Sequence, residues 1–220
     1  MSDKAHLEGT LESLISDHLV NNGWILGSKD NYDRGVGIDR YELFAFLEAT
    51  QNIALQKLDQ LHGNQTKARQ KLVERLVKEI DNNGIIHVLR KGITDLGVKI
   101  DLAFFIPENL MSADVITEYK ANRVTVTRQI RMSESNINDS IDLTFLLNGL
   151  PIATAELKAQ TAGQNVKDAM KQYRFHRKPS DLIFAKRSLV NFAIDENDVF
   201  MTTKLQGAST VFLPFNQGSA

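Results

Sequence analysis

The chain of 220 residues contains no cysteine, which removes in one step a disulfide framework, a thiolate metal site and a cysteine nucleophile. It also lacks an excess of either charge. Its 26 Lys and Arg against 27 Asp and Glu leave a formal net charge of -1, so no global positive field draws in a polyanion and any nucleic-acid contact has to be local. No stretch approaches the roughly 20 consecutive apolar residues of a membrane span, and the polar, charged start from Met1 to Thr10 is unlike a secretory leader. A Gly-x-x-x-x-Gly-Lys-Ser/Thr phosphate loop is missing, so nothing here is built to hydrolyse ATP. Internal repeats and low-complexity tracts are absent as well. What remains, 42% hydrophobic and 24% charged, is the composition of a folded soluble domain, which predicts a cytoplasmic protein with no membrane partner.

Helical spacing of Leu7, Leu11, Leu14, Ile15 and Leu19, closed by Asn21-Asn22-Gly23, predicts a first helix. A glycine-rich loop follows over 27–37, then helices over 40–61, broken near Thr50, and 66–81, so the first third is mainly helical. Beyond Gly84, aliphatic and aromatic runs bounded by turn formers predict strands at 85–89, 98–105, 123–130, 141–147 and 152–157. One helix over 164–177 is followed by strand-like runs at 182–184, 189–194 and 199–203. The expectation is an α/β fold, a mixed sheet flanked by helices, forming a single domain over 1–216 (a helical region over 1–83, a sheet-rich core over 84–216) with a tail at 217–220.

The informative segment is Ser140–Lys158, two apolar strands meeting at Asn148-Gly149, a hairpin signal. Asp142, Glu156 and Lys158 are the charges embedded in it. Alternation puts Glu156 and Lys158 on one face, and Asp142 joins them only if the connection has an odd length, such as the three residues Asn148 to Leu150. A strict two-residue turn pairs Asp142 with Ala155 instead. Two carboxylates facing each other across strands repel by about 4 kcal/mol at 4 Å and an effective dielectric near 20. One lysine offsets part of that. A divalent cation with oxygen ligands offsets the rest, and Mg²⁺ is normally held by one or two carboxylates plus substrate phosphate. The competing reading is an exposed hairpin whose charges merely face solvent.

Asp142, then Glu156-Leu157-Lys158, matches the PD-(D/E)xK nuclease pattern. The phrase Leu146-Leu-Asn-Gly-Leu-Pro-Ile-Ala-Thr-Ala-Glu-Leu-Lys158 resembles the N-terminal nuclease domain of the type I restriction enzyme R subunit. The likeness extends through Ala121-Asn-Arg123, Gly163 to Ala169, Gln172-Tyr-Arg174 and Phe212 to Asn216. It implies a restriction-endonuclease-like core in which Asp142 and Glu156 bind Mg²⁺, with Mn²⁺ as a substitute, and Lys158 positions or polarises the attacking water. Glu118-Tyr119-Lys120, with Asp101 upstream, spells a second ExK, but its polar flanks and the spacing of Val115, Ile116 and Tyr119 belong to a helix.

Relatives of the RecB type carry Gln-x-x-x-Tyr after the ExK strand, which singles out Gln172 as a supporting group. His176 stands at the tyrosine position. Lys167, Lys171, Arg174 and Lys178 fall at i, i+4, i+7 and i+11, one stripe on the predicted helix, suited either to DNA phosphates or to plain solvation. In the first helix Glu12, with Glu8 as competitor, occupies the place from which the family's glutamate approaches the metal; a surface carboxylate near a helix start is the other reading.

The implied function is Mg²⁺-dependent endonucleolytic cleavage of double-stranded DNA by a type I R subunit. The partners are the motor domain of the full-length subunit, absent from this sequence, through which alone ATP enters, and the methylation and specificity subunits. A stand-alone RecB- or Mrr-like nuclease and a non-catalytic DNA-docking module are the alternatives.

Overall fold

The computed structural model describes residues 2–106, 113–132, 139–160 and 163–216; the side chains of residues 2–8, and with them Glu8, and the tail 217–220 lie outside the described residues. Helix α1 (Ser2–Asn21) leads into β1 (Ile25–Gly27), a 3₁₀ turn (Lys29–Asn31) and the short strands β2 (Tyr32–Asp33) and β3 (Ile38–Asp39). Four helices follow: α2 (Arg40–Thr50), α3 (Asn52–His62), α4 (Gln65–Asn83) and α5 (Ile85–Lys91). The break expected near Thr50 is therefore real. The strand expected at 85–89 is instead the helix α5, because Ile85, Val88 and Leu89 bury the i, i+3, i+4 face that a helix requires.

The chain divides into two compact units, one made of 1–38, 124–146 and 150–220, the other of 39–123 and 147–149. In the second unit Asp39 caps α2 by accepting from the Glu42 N–H at 3.0 Å. The buried carboxylate of Glu42 takes Arg123 Nε at 2.7 Å. The strand run expected over 98–105 shrinks to β5 (Val98–Ile100), paired antiparallel with β4 (Ile93–Asp95), and α6 (Ala113–Lys120) carries Glu118 as the sequence predicts.

The first unit holds a seven-stranded sheet in the order β1-β6-β7-β8-β9-β10-β11. Its further strands are β6 (Val124–Arg131), β7 (Ser140–Leu147), β8 (Leu150–Leu157), β9 (Val190–Ile194), β10 (Val199–Thr202) and β11 (Leu213–Pro214). Strand β8 runs parallel to β9, Ala153 opposite Val190 and Leu157 opposite Ile194, while β9 and β10 are antiparallel. Leu11, Ile15 and Leu19 of α1 pack on Val126, Leu143, Ala155 and Leu157. A second cluster joins Ile130, Ile141 and Leu146 to Tyr173, Ile183 and Phe184. The fold is α/β, a mixed sheet flanked by helices, with a helical N-terminal region.

Two expectations fail after the hairpin. Helix α7 spans only Val166–Lys171 and passes into a π-helical turn, Gln172–His176; a second such turn, Ile183–Arg187, replaces the strand expected at 182–184. Wider π turns change the angular phase, so the four basic residues do not share one α-helix. Lys167 and Lys171 stay exposed, Lys171 beside Asp168 at 3.2 Å. Arg174 folds back, its Nε donating to Thr210 O at 3.0 Å and its guanidinium lying over Phe212. Lys178 lies beyond the turn.

Candidate active site

Strands β7 and β8 are joined by two residues, Asn148 and Gly149, at φ 51° and 80°. Both left-handed positions suit Asn-Gly, the type I′ pattern, and the expected three-residue connection is not formed. Asn148 is pinned there, fully buried: its side-chain oxygen accepts from the Arg123 N–H at 2.7 Å and its Nδ2 donates to Leu102 O at 2.9 Å. A Cβ at Gly149 would lie 2.3 Å from Asp39 O.

Strict counting from this turn would place Leu143 opposite Thr154 and Asp142 opposite Ala155. Leu143 and Phe145 share an apolar cluster with Ala155 and Leu157 instead, which leaves Asp142, Thr154 and Glu156 on the other side. One residue is therefore absorbed between the turn and the site. Pro151, with no N–H to give a ladder, lies in that stretch.

Asp142 and Glu156 come together as a result. Asp142 Oδ2 accepts from the Leu157 N–H at 2.8 Å, and Oδ1 from Gln129 Nε2 at 3.2 Å. Burial raises the Asp142 pKa and the Glu12 charge adds to it, against the Leu157 N–H, Lys158 and Gln129. Glu156, wholly buried, is pushed up to about 8, first by burial and then by the Asp142 charge, with Arg177 and Lys158 opposing. Lys158, buried at the end of β8, donates its backbone N–H to Ile194 O at 2.9 Å. Its charge acts on both carboxylates.

Three groups here were given no role by the sequence. Arg177 Nε donates to Glu156 Oε1 at 2.6 Å and Nη2 to Ser140 O at 2.7 Å, while Nη1 bonds Asp139. Burial opposes the Arg177 charge, yet Glu156, Asp139 and Asp142 outweigh it and hold the guanidinium protonated. Tyr173, fully buried, shares a 2.9 Å hydrogen bond with the Thr154 hydroxyl. Gln129 sits at φ 54°, a strained conformation for a non-glycine residue in mid-strand. That kink sends Val126 and Ile130, both even-numbered, into different clusters, and it aims the Gln129 amide at Glu12 Oε2 (3.0 Å) and Asp142 together. The signals were present only as an interrupted alternation in β6 and an arginine just after the helix.

Glu12 is thus brought to the site, buried, with Oε1 on Arg128 Nε at 2.8 Å. Gln172 is half-buried at the start of the π turn, and among the described residues its amide makes no hydrogen bond to Asp142 or Glu156. His176 is exposed. Glu118 and Asp101 belong to the other compact unit, and Asp101 pairs with Lys99 at 2.8 Å.

Among the described residues no three His, Asp or Glu side chains are gathered into a complete metal cage; Gln129 bridges Glu12 and Asp142, and Arg177 occupies Glu156 Oε1. One observation nevertheless fits a cation. Glu156 Oε2 is buried with no hydrogen-bond partner, and a buried carboxylate oxygen left so is costly unless a positive group meets it.

The raised Glu156 pKa has a consequence for stability. A carboxyl that binds its proton more tightly folded than unfolded contributes stability that is complete below the ordinary value of 4.5 and lost as pH climbs through about 8. In EDTA, the urea midpoint of the wild-type chain is expected to fall relative to that of Glu156→Gln over this window. Parallel pH profiles would show that Glu156 keeps an ordinary pKa.

In comparisons with known proteins, the family model described as "Type I restriction enzyme R protein N terminus" matches residues 6–210. No curated protein matches the chain significantly.

Proposed function

The chain belongs to the family of type I restriction enzyme R protein N termini, and from that premise we propose that it is a Mg²⁺-dependent PD-(D/E)xK nuclease domain that cuts double-stranded DNA. The observation that carries the reading is the convergence of Asp142 and Glu156, with Glu156 Oε2 unpartnered and the Lys158 charge acting on both. Asp142 and Glu156 would hold the cation, with Glu12 nearby. Bound there, the ion neutralises charge developing on the phosphodiester and makes a water more acidic. The Leu157 N–H and Gln129 fix the plane of the Asp142 carboxylate, and Arg177 fixes that of Glu156 through Oε1, leaving Oε2 unpartnered. Lys158 orients and polarises the water.

The chain carries no nucleotide-binding loop, so delivery of DNA falls to a motor domain and targeting to the methylation and specificity subunits. Two measurements test this. Calorimetric Mn²⁺ binding by the 220-residue chain is expected to disappear in Glu156→Gln, and the chain alone is expected to leave ATP intact and cut plasmid feebly. Efficient cutting without ATP, absent in a Lys158→Ala control, would favour a self-sufficient RecB- or Mrr-like nuclease. Duplex binding without Mn²⁺ binding or cleavage, even in the assembled enzyme, would favour a docking module.

A further inference from the structure

The basic residues after β8 are divided between α7, the π turn and the segment beyond it, and they are not the only cations near the site. Elsewhere in the same compact unit, Lys29, Asp30, Tyr32, Arg34 and Arg131 line a cavity of about 200 Å³. A more open depression of about 450 Å³ shares Lys29 and Asp30 with it and adds Arg128 and Gln129. The two adjoin through Lys29 and Asp30, between the segment after β1 and the C-terminal half of β6, and are taken together as one groove. Four cations line it against the single carboxylate of Asp30, and Arg128 is partly engaged by Glu12 at 2.8 Å. Lys29 and Arg131 are exposed. The other acid of this loop, Asp33, accepts from the Gly35 N–H at 2.9 Å.

Position matters as much as charge. Gln129, on the wall of the depression, donates its amide to Asp142 Oδ1 at 3.2 Å, so the groove leads to the carboxylate pair. A local row of Lys and Arg at such a place suits phosphate oxygens, which a guanidinium meets with paired donors. Phosphate contacts fix the register of a duplex without reading bases. A local patch is also what a chain of net charge -1 needs to attract DNA at all.

We propose that this groove is the track for the phosphate backbone of the duplex entering the site, with Lys29 and Arg131 as its outer contacts. The proposal rests on the nuclease reading and goes beyond it by naming the surface.

The test is fluorescence anisotropy of a labelled duplex with the 220-residue chain in Ca²⁺, between 50 and 200 mM salt, wild type against Lys29→Gln/Arg131→Gln. Each lost phosphate contact removes about 0.9 from the slope of log K against log salt, so the double variant should be shallower by about 1.8, equally for unrelated duplex sequences. Lys78→Gln/Lys91→Gln, two exposed cations far along the chain, matches the change in net charge and should keep the wild-type slope. An unchanged slope in the groove variant, an equal loss in the control, or no duplex binding by the wild-type chain down to about 10⁻⁴ M would overturn the groove. Cleavage by the assembled enzyme carrying Asp142→Asn is read separately: retained cleavage sinks the nuclease reading, whereas loss of cleavage with an unchanged slope sinks the groove alone.

Discussion

Replacing Lys158 with alanine is expected to lower DNA cleavage by the assembled restriction enzyme about 10²- to 10⁴-fold, the range over which positioned proton-transfer and electrostatic groups act. ATP-driven translocation should continue if, as proposed, it belongs to a separate motor domain. Lys158 directly follows β8 with its charge acting on Asp142 and Glu156, and neutralising it leaves only Arg177, already engaged by Glu156 and Asp139, and the metal to balance two carboxylates and a phosphodiester. Lys158 is itself buried, so a melting curve should accompany the assay, and Lys158→Gln, which keeps the length of the stem, should be nearly as inactive. Unimpaired cleavage by a folded Lys158→Ala enzyme would remove the lysine from the mechanism. Glu118→Ala, on a helix in the other compact unit, should cut normally; a dead Glu118 variant would shift attention to that second ExK.

Arg177→Met is the second large effect. The guanidinium is nearly buried, with 5% of its side chain exposed, and Glu156, fully buried, is its partner at 2.6 Å. Taking water from both ions costs several kcal/mol each, a cost offset only while the pair and its further bonds to Asp139 and Ser140 O persist. Removing one member strands a buried carboxylate wherever Glu156 is ionised, above its pKa of about 8, and there the loss should be about 3–5 kcal/mol by urea unfolding, shrinking at lower pH where the carboxyl is protonated. Glu156→Gln placed in the same chain no longer strands a charge and should recover more than half of that loss, which only a direct coupling between the two residues does. A loss under about 1 kcal/mol above that pH, or strictly additive single variants, would show that Arg177 and Glu156 do not support each other.

Much of this was written in local sequence, because local rules act within a few residues. Apolar spacing marked α1 to α4, Asn-Gly marked the hairpin turn, and alternation marked β6 to β10; Asp142, Glu156 and Lys158 were legible because strand and motif coincide there. Glu12 was legible through family likeness rather than physics. Ile85–Leu89 misled, since a short run of branched residues satisfies a strand or one buried helical face equally, and only packing against the rest of its unit decides. The basic residues after β8 are a different case: equal spacing assumes 3.6 residues per turn, and the π turn at 172–176 broke that assumption. Tertiary structure alone placed Gln129 between two carboxylates, Arg177 on Glu156, Tyr173 beneath Thr154 and Lys29 beside Arg131. Each pair is distant in sequence, so its contact costs loop closure and is bought only by the whole sheet. The register shift at the hairpin is of the same kind: Asn-Gly dictated a two-residue turn, but burying Leu143 with Ala155 and Leu157 mattered more than an unbroken ladder, and that preference turned Asp142 toward Glu156.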